Sequence, residues 1–185
     1  MMHTLYVVGT PLGNVADWSP RAQQVLASVP VIAAEDTRVT ARLLAACGIG
    51  GARLIAYTDA FAPKQAQRQA EVLTALQHGD VALVADAGMP TISDPGSALV
   101  QAALAAGHRI VPVPGPSAVV TALAVAGLPA DRFLFLGFLP RRSADRATLL
   151  RQVADEPGTL VAYEVPHRLH ASLVDLHAVL GDRPV

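Results

Sequence analysis

Apolar residues along this chain gather in short continuous runs, separated by longer mixed stretches. Seven runs read as β-strands, at 4–8, 31–34, 53–56, 81–85, 109–113, 133–137 and 159–163. Most are apolar throughout rather than alternating, as expected of parallel strands covered on both faces. The spacing between them predicts helices. Ser19 and Pro20 open the first, as N-cap and first-turn proline. The others are expected over 37–47, 64–78, 96–106, 117–126, 143–155 and 167–180, with Gly48, Gly79 and Gly107 stopping three of them. Regular alternation of strand and helix argues for an α/β fold. The segment VPVPGPS at 111–117 stiffens the chain and breaks regular structure. It is read as a hinge between an N-terminal parallel-sheet α/β domain, residues 1–113, and a second α/β domain, residues 114–185.

Composition narrows the class. At 185 residues and 52% hydrophobic, the chain can bury a core without disulfides and is too apolar to be disordered. A mean hydropathy of +0.39 invites a membrane reading. The longest uncharged run, 110–130, contains Pro112, Pro114, Pro116 and Pro129. Its uninterrupted part is too short to span a bilayer. The formal charge is -1, so any nucleic-acid footing must be local. The basic residues are arginines apart from Lys64. Cys47 is the single cysteine, reads as buried, and cannot form an internal disulfide. With no basic, apolar leader at MMHTLYVV, a reducing cytoplasm is the expected compartment.

Candidate chemistry falls beyond the strand ends, where ligands bind in open parallel sheets. After the first strand, VGTPLGN allows close backbone approach to a ligand. It is neither a dinucleotide fingerprint nor a phosphate loop. After the second, AAEDTRVTAR brings the adjacent acids Glu35 and Asp36 and the arginines Arg38 and Arg42, one helical turn apart. Either Asp36 or Thr37 simply caps the following helix, or the acids act on a substrate. After the fourth, ADAGMPTISDPGS places Asp86 where it can accept hydrogen bonds from a polar ligand. Asp94-Pro95-Gly96 reads as a turn and helix start. Ser93 and Ser97 lack a nucleophile elbow. After the fifth, Ser117 stands at a helix N-terminus, whose free N–H groups can receive a carboxylate or hydroxyl. The histidines show no metal spacing.

Taken in order, VVGTPLGN, AAEDTR, DAGMPTISDPG, PVPGPSAVVTAL, DRFLFLGFLPR and YEVPHRL resemble the RsmI-type ribosomal RNA methyltransferases of the tetrapyrrole-methylase superfamily. These are class III S-adenosylmethionine-dependent enzymes. The resemblance runs from Leu5 to about Gly181. It implies a two-domain enzyme, commonly a homodimer, with S-adenosyl-L-methionine in the cleft between domains. It implies methyl transfer to the ribose 2'-hydroxyl of a cytidine in 16S ribosomal RNA of the small subunit. Carried over by residue, the cofactor would meet Pro11, Ala85, Asp86, Met89, Pro90, Ser117, Ala118, Tyr163 and Glu164. Glu35 and Asp36 become candidates for orienting the hydroxyl or accepting its proton. Arg38, Arg42, Arg141, Arg142 and Arg168 would meet RNA phosphates.

Two departures temper this. Where the family shows a His- and Asn-rich stretch, residues 57–62 read Tyr-Thr-Asp-Ala-Phe-Ala, and Val165 stands where Ser is common. The chain also stops where a further strand is expected, so the second domain reads as incomplete. A fragment or a shortened relative is expected, with weak or absent activity and an exposed sheet edge. Two other readings stay open: a methyltransferase of the same superfamily acting on a tetrapyrrole or other small molecule, and a catalytically silent cofactor- or RNA-binding module.

Overall fold

The computed structural model describes residues 2–58 and 62–184. It is an α/β protein that divides into two compact units, Met1–Ala118 and Val119–Val185. The first holds β1 (Thr4–Val8), α1 (Pro20–Ser28), β2 (Val31–Ala34), α2 (Thr37–Ala46), β3 (Arg53–Ala56), α3 (Ala62–Leu76), β4 (Val81–Val84), α4 (Ser97–Ala105) and β5 (Arg109–Val113). Its five strands form one parallel sheet in the order β3-β2-β4-β1-β5.

Both faces of that sheet are covered, which is why its strands read as continuous apolar runs. Val31, Ala33, Val81 and Leu83 pack with Val72 and Leu76 of α3 and Leu99 and Ala103 of α4. The alternate residues Ile32, Ala34, Ala82 and Val84 pack with Ala22 and Leu26 of α1 and Leu44 of α2. Strands β2 and β4 are buried at every position.

The segment at 114–117 stays with the first unit because Gly115 lies directly against Gly9. A Cβ on Gly9 would sit 2.6 Å from the Gly115 Cα, closer than any side chain tolerates.

Several element ends differ from expectation for local reasons. β4 stops at Val84 because the Ala85 carbonyl is taken by the Thr10 hydroxyl instead of a neighbouring strand. Helix α3 starts at Ala62, two residues before Lys64, with Pro63 in its first turn. Helix α2 ends at Ala46, and Cys47, half-buried rather than buried, serves as its C-cap before Gly48 at φ +67°. Of the altered stretch 57–62, Asp59, Ala60 and Phe61 lie outside the described residues.

The second unit carries α5 (Ala118–Val125, from its second residue), β6 (Phe133–Phe138), α6 (Ser143–Gln152), β7 (Thr159–Tyr163) and α7 (Leu169–Leu180). β6 and β7 pair in parallel. β6 runs one residue past Gly137, whose φ of 66° permits the register shift that brings Phe138 opposite Tyr163. A 3-10 turn at Pro166–Arg168 precedes α7, so the α-helix begins at Leu169 rather than at His167. This unit holds an apolar cavity of about 670 Å³, lined by leucines including Leu123, Leu136, Leu150, Leu160 and Leu176.

Candidate functional site

Strand order decides where loops meet. From β2 the chain moves outward to β3, while from β4 it moves the other way, past β1 to β5. The connections leaving neighbouring β2 and β4 therefore diverge at their carboxyl ends. That is the topological switch point, the preferred ligand ground of an open α/β sheet. Glu35, Asp36 and Asp86 stand there, with the loops after β1 and β5 beside them.

Those loops are fastened to one another. Thr10 and Gly88 exchange two backbone hydrogen bonds, at 2.9 and 3.0 Å. The Thr10 hydroxyl donates to the Ala85 carbonyl at 3.1 Å. Gly88 has φ +81°, and a Cβ there would meet Leu12 at 3.3 Å and the Pro116 carbonyl oxygen at 3.6 Å. Only glycine suits both the backbone and the space. Pro11, Ala85 and Pro90 are buried, so their share in binding would be backbone and shape. Met89 is half-buried and its sulfur lies against Gly9. Ser117 immediately precedes α5 and Ala118 begins it.

The rest of the β4 loop is strained. Thr91 and Ser93 adopt φ of 74° and 64°, a region that side chains rarely enter. Such strain persists where the surroundings impose it, and it concentrates at functional sites. Between them Ile92 is exposed. Next comes Asp94, whose carboxyl is pushed up to about 6 by burial first, then by the charges of Glu35 and Asp86. By sequence Asp94 reads as a turn residue, and the loop's mixture of Asp, Gly and Pro is the available signal of a further role.

The acids at the switch point have distinct settings. Asp36 is the N-cap of α2: its Oδ1 accepts from the Arg38 N–H at 2.8 Å. The Arg38 guanidinium grips the same carboxylate at 2.6 Å and 3.0 Å. Arg38's side-chain hydrogen bond, then its backbone N–H, hold Asp36 well below the usual carboxylate range. Capping is therefore satisfied by Asp36 and not by Thr37. Glu35 and Asp86 are joined reciprocally. Glu35 Oε2 accepts from the Asp86 N–H at 3.2 Å, and Asp86 Oδ1 accepts from the Asp36 N–H at 3.0 Å.

The arginines separate into two kinds. Arg42 and Arg141 are exposed, and Arg142 is exposed beside Asp145 at 3.8 Å. Arg38 is exposed but paired with Asp36. Arg168, expected on RNA, instead points into its own unit. It meets Glu164 at 2.6 Å and the Leu139 carbonyl at 3.5 Å, and its Nε is buried without a partner among the described residues. Glu164 is correspondingly committed to Arg168, Ser172 and the Val165 N–H. Burial pushes its carboxyl up, but these contacts together with the charge of Arg146 outweigh it, and the net shift is downward. Tyr163 lies edge-on to Phe135 and Phe138, with centroids at 4.9 and 5.3 Å.

Arg146, which sequence reasoning missed, is buried and ion-paired with Asp175. It donates to the Pro140 and Arg141 carbonyls at 2.8 and 3.3 Å. Nothing in the sequence distinguishes it from the exposed Arg151. Among the described residues no group of three or more His, Cys, Asp or Glu could hold a metal ion, and no helix is long and apolar enough to cross a membrane.

Known proteins share the family and the fold. Residues 4–185 match the family of tetrapyrrole (corrin/porphyrin) methylases. The chain is 52% identical over 180 residues to ribosomal RNA small subunit methyltransferase I of Escherichia coli O157:H7, covering 96% of this chain and 61% of that relative. The protein of the same name in Pseudomonas aeruginosa is 49% identical, with 96% and 62% covered. The chain thus spans about three-fifths of the length of these relatives. Among solved structures, uroporphyrin III C-methyl transferase of Thermus thermophilus superposes with a TM-score of 0.62 at 22% identity, covering 98% of this chain and 78% of that one. That enzyme has also been solved with S-adenosyl homocysteine, and the likeness supports the shared fold.

Proposed function

Because the chain belongs to the tetrapyrrole (corrin/porphyrin) methylase family, we propose that it serves S-adenosyl-L-methionine-dependent methylation of a cytidine ribose 2'-hydroxyl in 16S rRNA of the small ribosomal subunit. The carrying observation is identity near one half, over nearly the whole chain, to relatives named for small-subunit ribosomal RNA. A cytoplasmic setting and a homodimer belong to the same reading.

The donor set suits the cofactor. Its ribose hydroxyls donate hydrogen bonds, and Asp86 offers a carboxylate beside the fastened backbone of residues 9–11 and 85–90. When bound, S-adenosylmethionine supplies a methyl group on a positively charged sulfur. Residues 85–90, Pro11, Ser117 and Ala118 of the first unit are proposed to hold it. Rate enhancement would come mostly from fixing the acceptor hydroxyl in line. Asp36 is proposed to orient that hydroxyl by accepting its hydrogen bond. Kept ionised by Arg38, it is a weak proton acceptor. Arg38, Arg42, Arg141 and Arg142 are proposed to meet phosphates. Arg168, held by Glu164 and the Leu139 carbonyl, is proposed to have a structural role instead.

A silent binding module is the second reading, favoured by the loss of polar donors at 57–62. Calorimetry with S-adenosylmethionine, then methyl transfer to undermethylated small subunits with nucleoside analysis, tests both. Cofactor binding with weak incorporation at a cytidine 2'-hydroxyl is expected. Cofactor binding without incorporation would favour the module, and methylation of a tetrapyrrole in place of RNA would overturn the acceptor.

A further inference from the structure

We infer that Glu35 is a positioning residue: with Asp86 it forms a reciprocal clasp that locks the loop after β2 to the cofactor-bearing loop after β4. This rests on the cofactor reading above, and it assigns Glu35 a task other than taking the acceptor's proton.

The clasp has two hydrogen bonds running in opposite senses. Glu35 Oε2 takes the Asp86 N–H at 3.2 Å, and Asp86 Oδ1 takes the Asp36 N–H at 3.0 Å. Each carboxylate thus satisfies a backbone donor of the other loop. A third bond, from the Glu35 N–H to the Val84 carbonyl at 3.3 Å, continues the pairing of β2 with β4 up to the clasp. It closes at the carboxyl ends of β2 and β4, where the sheet's own connections diverge. On its far side, the β4 loop is fastened by Thr10 through Gly88 and Ala85. Residues 85–88 are therefore gripped from both flanks, and Glu35 provides the grip on the β2 flank.

Two like charges at this spacing repel, and Asp94 lies within their field. The bonds to backbone N–H groups offset that repulsion, because a carboxylate accepts such donors strongly. What the clasp needs from residue 35 is a carbonyl-type acceptor at the right reach. A negative charge is not required. Glutamine retains that acceptor, and alanine removes it.

The experiment uses the whole chain in three forms: wild type, Glu35→Gln and Glu35→Ala. S-adenosylhomocysteine affinity is measured by calorimetry, and amide exchange is followed in peptides covering 35–37 and 85–92. Glu35→Ala should weaken binding by about tenfold and speed exchange at Asp86. Glu35→Gln should restore both to within about threefold of wild type. Equal affinity and exchange in wild type and Glu35→Ala would overturn the clasp. A glutamine variant as impaired as the alanine variant would also overturn it, because the charge itself would then be what matters. Failure of the wild type to bind S-adenosylhomocysteine would overturn the cofactor reading. In that case normal protection of Asp86 that is lost in Glu35→Ala would still support the clasp as a structural lock, and its persistence in Glu35→Ala would end both.

Discussion

Gly9 and Gly115 meet backbone to backbone, so that a Cβ on either would lie under 3 Å from the other's main chain. The loop after β1 and the segment after β5 can approach only because neither carries a side chain. Gly9→Ala should force them apart, at a cost of about 1–3 kcal/mol in overpacking. Urea denaturation reads that loss. Calorimetry with S-adenosylhomocysteine should show affinity falling further than stability alone explains. An alanine variant with unchanged affinity would separate this junction from the cofactor ground.

Arg146 pairs with Asp175 inside the second unit, where its side chain is 4% exposed. Removing one partner leaves a buried charge uncompensated, which costs about 3–5 kcal/mol. Arg146→Met should therefore unfold the second unit at markedly lower denaturant. Adding Asp175→Leu should recover part of the loss. A double variant as unstable as the sum of the singles would show that the bonds to the Pro140 and Arg141 carbonyls matter more than the ion pair.

Asp94 titrates near 6 in the folded protein against an ordinary 3.8. The folded state then holds its proton more tightly than the unfolded chain. Its contribution to stability falls as pH rises from about 3.8 to about 6 and is constant above. Asp94→Asn should remove that slope and leave the variant more stable than wild type at pH 7. Melting temperatures taken from pH 4 to pH 7 compare the two curves directly, and parallel curves would place the group in water.

Exposed and inward arginines should differ in salt dependence. Gln substitution of Arg42, Arg141 or Arg142 should each weaken binding to small subunits and lower the salt slope by about one. Arg168→Gln should lower the melting temperature, because it breaks the contact with Glu164. In a chain already lacking Arg141 and Arg142, it should cause no further loss of RNA binding. An added loss there would return Arg168 to the RNA.

Much of the fold could be read in advance because burial on two faces leaves a plain record. Strands β2 and β4 have no polar residue to obscure them. The start of α1 was legible in Ser19 and Pro20, whose roles as side-chain cap and first-turn proline are local. The candidate loops were legible as well, since their Gly, Pro and Asp residues interrupt apolar runs in a characteristic order. Element ends set by distant partners were not. β4 ends where the Thr10 hydroxyl reaches Ala85, 75 residues away in sequence.

The chain by itself determined which segments are strands, which loops carry polar groups, and the family those loops resemble. Each follows from nearest-neighbour preference or from the need to keep apolar runs dry. Tertiary structure alone decided that β2 lies beside β4, which brings Glu35 against Asp86 across 51 residues of sequence. It alone turned Arg168 inward while leaving Arg142 in solvent. The physical reason is the same in both cases. A carboxylate or guanidinium looks identical in any sequence position, and its partner is fixed only when the packing of the apolar core settles which strand and helix ends become neighbours.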